Sequence, residues 1–128
     1  MLLSLTLLTA ACQQETATPA SPGLEGRWNA ESVTAFNYSA TGQLLSQDKQ
    51  PDRSFYLVLT RDSLYYRDIR DGNSWGKYPY TRQGNSLQYG RSQITITELT
   101  DHALTLRFKD PNQTPSAPYQ EVEDHYTR

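Results

Sequence analysis

Ile94-Thr95-Ile96-Thr97-Glu98-Leu99-Thr100-Asp101-His102-Ala103-Leu104-Thr105-Leu106-Arg107-Phe108 is the stretch that decides the fold. Ile94 and Ile96 alternate with Thr95 and Thr97, and Leu104, Leu106 and Phe108 alternate with Thr105 and Arg107. Successive side chains of an extended chain point to opposite faces, so each run is a strand with one apolar and one polar side. Between them Thr100-Asp101 offers side-chain oxygens that bond the local backbone and favour a turn. The stretch therefore reads as strand, turn, antiparallel strand.

The same grammar extends in both directions. Phe55, Leu57 and Leu59 alternate, while Tyr56 and Val58 on the opposite face indicate a strand covered on both sides. Turn signals recur at short intervals: Thr41-Gly42, Arg61-Asp62, Asp71-Gly72-Asn73, Gln83-Gly84-Asn85 and Asp110-Pro111-Asn112. Strands are predicted over 26–37, 42–48, 54–61, 63–70, 75–82, 86–90, 92–99, 103–109 and 118–127, with no helical period anywhere. That many antiparallel strands in so short a domain favours an all-β, up-and-down barrel of about eight strands, because closure removes exposed edges. A two-sheet sandwich is the alternative. Leu57, Leu59, Ile94, Ile96, Leu104, Leu106 and Phe108 are the expected core.

Ahead of this domain the character changes. Leu2 to Ala11 is an apolar run of Leu, Ser, Thr and Ala that ends at Cys12, the single cysteine of the chain. Ten residues of helix reach about 15 Å, half of the roughly 30 Å that a membrane span needs. The run matches instead the apolar region of a secretory signal, with Ala10 and Ala11 as the small residues before a cut. A buried first strand or a frayed apolar end would also accommodate such a run. The Ala-Ala-Cys junction resembles that of bacterial lipoproteins, and the resemblance implies cleavage before Cys12 and acylation of its thiol. More than one acyl chain gives stable anchoring. Residues 13–22, QQETATPASP, hold two prolines and no large apolar side chain, and read as a tether. The expected organisation is a signal at 1–11, a lipidated Cys and tether at 12–23 and one domain at 24–128. The expected place is the cell envelope, anchored to a bacterial membrane and most simply the outer one, with the leaflet open.

A second resemblance concerns the domain. Leu24-Glu25-Gly26-Arg27-Trp28 is similar to the Leu-x-Gly-x-Trp opening of lipocalin-like domains. Thr60 to Asp62, Tyr78 to Tyr80, Gly84 to Leu87, Ile94 to Leu99 and Leu104 to Leu106 come after it in an order that family also shows. The likeness implies a barrel in which Trp28 packs across one end with a late arginine, Arg128 or Arg107, over its ring. Gly26 would permit close approach there. It also implies an interior wide enough for its own side chains or one small ligand.

Nine tyrosines stand against three phenylalanines. A ring with a polar tip suits a cavity wall that holds a ligand and tolerates water. Tyr66, Trp75, Tyr78, Tyr80 and Tyr89 are the candidate ligand-binding residues, the competing reading being ordinary β-formers on the outer wall. Catalytic and metal motifs are poor. His102 and His125 lack ligand spacing. Glu121, Glu123 and His125 share a strand face that reads more readily as solvated surface. No cofactor, metal or enzyme activity is expected. Twelve basic and fourteen acidic residues, mixed along the chain, provide no phosphate-gripping patch and argue against nucleic acid. Two functions remain: an anchored binder of a small, partly apolar ligand, or an envelope interaction or structural lipoprotein with a filled barrel.

Overall fold

The computed structural model describes residues 23–128 apart from residue 111. The expected signal, Cys12 and residues 13–22 of the expected tether lie outside the described residues. The rest is all-β: β1 (Gly26–Tyr38), β2 (Leu44–Pro51), β3 (Phe55–Leu59), β4 (Ser63–Asp68), β5 (Ser74–Pro79), β6 (Thr81–Gln83), β7 (Ser86–Tyr89), β8 (Ser92–Leu99), β9 (Ala103–Lys109) and β10 (Tyr119–Thr127). All pairings are antiparallel, in the order β5-β4-β3-β1-β10-β9-β8-β7-β6, with β2 joined to β1 outside that path. The two ends of this order, β5 and β6, are separated in sequence by Tyr80 alone. One continuous segment thus carries both edges of the sheet, which curls into a nearly closed barrel.

The expected strand 75–82 is therefore two short strands hinged at Tyr80. Its backbone N–H donates to the Asp62 carbonyl at 2.8 Å, and its hydroxyl donates to the Thr60 carbonyl. Before the hinge the segment pairs with β4, and after it with β7.

β1 is longer than the barrel wall. Gly26 to Asn29 pair with β3, whereas Ser32 to Tyr38 pair with β2. The change of partner falls at Glu31, where the register with β10 shifts between Ala30 and Ser32. Such a bulge bends the strand and redirects its second half. Glu31 is held there by Arg53 at 3.0 Å and by the Thr127 hydroxyl at 2.9 Å. β2 is exposed along its whole length, so the β1–β2 pair runs beyond the core.

Alternation places the core where the sequence predicts it. Leu57, Leu59, Ile94, Ile96, Leu104 and Leu106 are buried, and Phe108 packs partly buried against them. Leu64, Leu87, Trp28 and Tyr126 complete the filling. Each fully buried side chain of this kind contributes about 1.5–3 kcal/mol from apolar burial.

Trp28 is wholly buried at one end of the barrel. Its indole N–H donates to the Leu24 carbonyl at 2.9 Å, and the Arg128 guanidinium lies 3.7 Å from its ring centroid. Arg128 also donates to the carbonyls of Gly23, Glu25 and Asp101, at 2.8, 3.0 and 3.0 Å. Gly26 has φ of +122°, and a Cβ there would come within 3.4 Å of the arginine's Nη1. Arg107, the other candidate for the tryptophan face, lies over Phe36 instead, 4.3 Å from that ring's centroid.

Candidate functional site

The opposite end of the barrel is built from aromatic rings. On β4 the inward positions are Leu64, Tyr66 and Asp68, paired with Leu59, Leu57 and Phe55 of β3. Inward-facing Tyr66 and Phe55 therefore lie near the outer limit of the core, with ring centroids 5.8 Å apart. Phe55 meets the buried Tyr126 edge-on at 6.0 Å and Trp75 at 5.7 Å. Tyr66 meets Tyr78 at 5.8 Å, and Tyr78 meets Tyr89 at 5.3 Å. These separations all fall in the range where aromatic pairs attract beyond their burial.

Local backbone features aim the rings. The β4–β5 register shifts between Tyr66 and Arg67, whose partners are Gly76 and Ser74, so Trp75 is the extra residue of a bulge. The Tyr78 ring folds back over Gly76, where a Cβ would lie only 2.8 Å from ring atoms. The strip runs from β10 through β3, β4 and β5 to β7. It crosses the seam where the sheet closes. Exposure along it ranges from 1% at Tyr126 to 38% at Tyr78 and 50% at Trp75.

Asp124 stands on the same inward face as Tyr126, paired with Leu106 of the core. The Tyr126 hydroxyl donates to its Oδ2 at 3.2 Å. Burial pushes the Asp124 carboxyl up to about 6, with the nearby Asp52 carboxylate adding to the effect and the Tyr126 bond opposing it. Burial likewise raises the Tyr66 and Tyr126 hydroxyls, and Asp124 raises both further. Asp68, the other inward acid, is different: the Arg70 side chain clasps it at 2.8 and 3.1 Å and holds its carboxyl down near 2.

Of the five residues expected to bind a ligand, the structure brings Tyr66, Trp75, Tyr78 and Tyr89 together. Tyr80 is elsewhere. It lies at the end sealed by Trp28, in an open cleft of about 740 Å³ whose walls include Leu24, Glu25, Arg61, Asp62 and Arg82. The structural pair, Gly26 and Trp28, belongs to that end too. Phe55 and Asp124 join the aromatic site although sequence pattern alone does not single them out. The signal for Asp124 is its spacing of two from Tyr126, which sets both on one face of β10.

Glu121, Glu123 and His125 occupy the other face of β10, on the outside of the wall. They are tied into a polar network rather than freely solvated. Arg107 bridges Glu121 at 2.7 Å and Glu123 at 2.9 Å, and His125 sits between the hydroxyls of Thr34 and Thr105, each at 3.2 Å. His102 bonds the Arg128 backbone carbonyl at 3.1 Å. Among the described residues no group of His, Cys, Asp and Glu is arranged to hold a metal ion.

A solved structure is similar to this chain. It is the crystal structure of a lipocalin-like protein from Bacteroides uniformis, 12% identical, with a TM-score of 0.48 over 82% of this chain and 97% of that one. No protein-family model matches the sequence, and no curated protein is significantly similar to it.

Proposed function

We propose that this protein is a membrane-anchored binding module that holds a small, partly apolar ligand against the aromatic strip, away from the end that Trp28 seals. One observation carries the reading: Trp75 and Tyr78 remain 50% and 38% exposed although they belong to a ring cluster rooted in the core. Exposed rings contiguous with a core are surface that gains from being covered. The hydroxyls of Tyr66, Tyr78 and Tyr89 would give such a ligand polar contacts at defined points. In this reading the chain is a binder rather than an enzyme. Acylation of Cys12 ties it to a bacterial membrane of the cell envelope.

A second reading has its own support. The interior around Trp28, Leu57, Leu64, Leu104 and Tyr126 is filled by the chain's own side chains, as suits an envelope interaction or structural protein with no small-molecule ligand. The two separate on a titration of the domain with the neutral fluorophore N-phenyl-1-naphthylamine, alongside native mass spectrometry of the freshly purified protein. The binding reading expects saturable uptake that Trp75→Ala and Tyr78→Ala each weaken roughly five- to tenfold, the loss of one aromatic contact. Affinity untouched by both substitutions would remove the strip from consideration. For the anchor, Cys12→Ser is expected to move the protein from the membrane to the soluble fraction and to abolish palmitate labelling.

A further inference from the structure

We infer that the occupant of the aromatic strip is a small organic cation, an ammonium whose charged head rests among Phe55, Tyr66 and Trp75 with Asp124 as its counter-ion. This rests on the reading of the strip as a binding site and narrows its ligand to a chemical class. The faces of aromatic rings carry negative potential, and several rings around one point make the known chemical solution for holding a quaternary or protonated amine. Phe55 supplies the junction, since its ring lies within 6.0 Å of those of Tyr66, Trp75 and Tyr126 alike.

Near that junction one acid is already balanced, Asp68, which pairs with Phe55 across β3 and β4 and is clasped by Arg70, whereas Asp124 is not. Asp124 faces Tyr126 on its own strand, Tyr66 on β4 and Asp52 in the connection between β2 and β3, and its cross-strand partners Val33 and Leu106 are apolar. Among the described residues no Lys, Arg or His forms an ion pair with it. Arg107, Lys109 and His125 alternate with the inward residues of β9 and β10, and so lie on the outer side of the wall. The contrast with Asp68 is direct, because that inward acid already has its cation in Arg70.

A carboxylate left without a base in a partly apolar site disfavours anions and is stabilised by a bound cation. Binding and ionisation are then linked. Because burial holds the Asp124 carboxyl near 6, a cation binds the ionised form and its affinity rises as pH climbs through that value.

The test uses three probes of one shape on the domain, read by Trp75 fluorescence at pH 8: phenyltrimethylammonium, its neutral counterpart tert-butylbenzene, and benzenesulfonate. The cation is expected to bind at least tenfold tighter than either of the others. Its advantage over tert-butylbenzene should shrink at least fivefold at pH 4.5, and by as much in Asp124→Asn at pH 8. The pH series on the unaltered protein keeps the test decisive if that variant folds poorly. Equal or tighter binding of tert-butylbenzene would overturn the cation assignment while leaving the aromatic site in place. Failure of all three probes and of N-phenyl-1-naphthylamine would overturn both readings. A cation preference indifferent to pH and to Asp124→Asn would overturn the role of Asp124.

Discussion

A carboxyl that ionises less readily in the fold than in the open chain makes the fold less stable once it has ionised. Asp124 is such a group, with a folded value near 6 against 3.8 for the unburied side chain. Between those values the folded state holds more protons than the unfolded one, so this contribution to stability is complete below about pH 4 and is lost as pH rises through 6. Asp68 has the opposite sign. Held near 2 by Arg70, it contributes stability above about pH 4 that disappears as the pH falls towards 2. Asp124→Asn removes the first penalty and is expected to raise stability by about 1–2 kcal/mol at pH 7.5, the carboxyl keeping some solvent, and by nothing at pH 4. Urea unfolding at the two pH values measures it. Arg128 offers a second prediction at this scale. Truncation to Ala takes away the stack on Trp28 and three carbonyl partners, for an expected loss of about 1–3 kcal/mol. Arg128→Lys should recover only part of this, because an ammonium does not reproduce the flat fork that meets the carbonyls and the ring together.

Elements are more legible in the sequence than the contacts between them. Strand alternation in Ile94–Ile96 and Leu104–Phe108 identifies inward faces directly, because a sheet with one buried side permits no other register. Gly, Asn and Asp at the turns mark the boundaries of most strands. The interruption at Tyr80 has a different mark, Pro79, whose missing N–H suits a strand end or edge. Pro79 signals a break in Lys77-Tyr78-Pro79-Tyr80-Thr81-Arg82, but nothing there shows that the chain leaves one neighbour for another, since that is decided by how far the barrel has curled. For the same reason Tyr78 and Tyr80, alike in sequence, send their rings to different sites, Tyr78 to the aromatic strip and Tyr80 to the cleft beside Leu24. Asp124 escapes a sequence reading because β10 carries acids on both faces, and local pattern does not rank a buried acid against an exposed one. Tyr80→Phe tests the hinge. Losing the hydroxyl bond to Thr60 while keeping the ring should cost about 1 kcal/mol, read as a lowered urea midpoint with unchanged slope.

At the scale of the molecule the two ends of the barrel differ in kind. One is sealed by Trp28, Arg128 and the carbonyls they engage, and the other ends in rings that are only half covered. The sheet contacts are uneven as well: β1 and β10 pair over nine positions, whereas β6 and β7 pair over three. Local opening depends on the number of bonds that must break. Amides of Thr81 to Gln83 are therefore expected to exchange with deuterium faster than those of Ser32 to Tyr38, and comparable protection of the two would contradict the prediction. A sheet whose two margins belong to a single peptide behaves like a bracelet with one clasp. Releasing β6 from β7 opens that clasp beside Tyr80, while the nine-position pairing of β1 with β10 and the hub of Trp28 and Arg128 stay fastened, so the ring can loosen without coming apart.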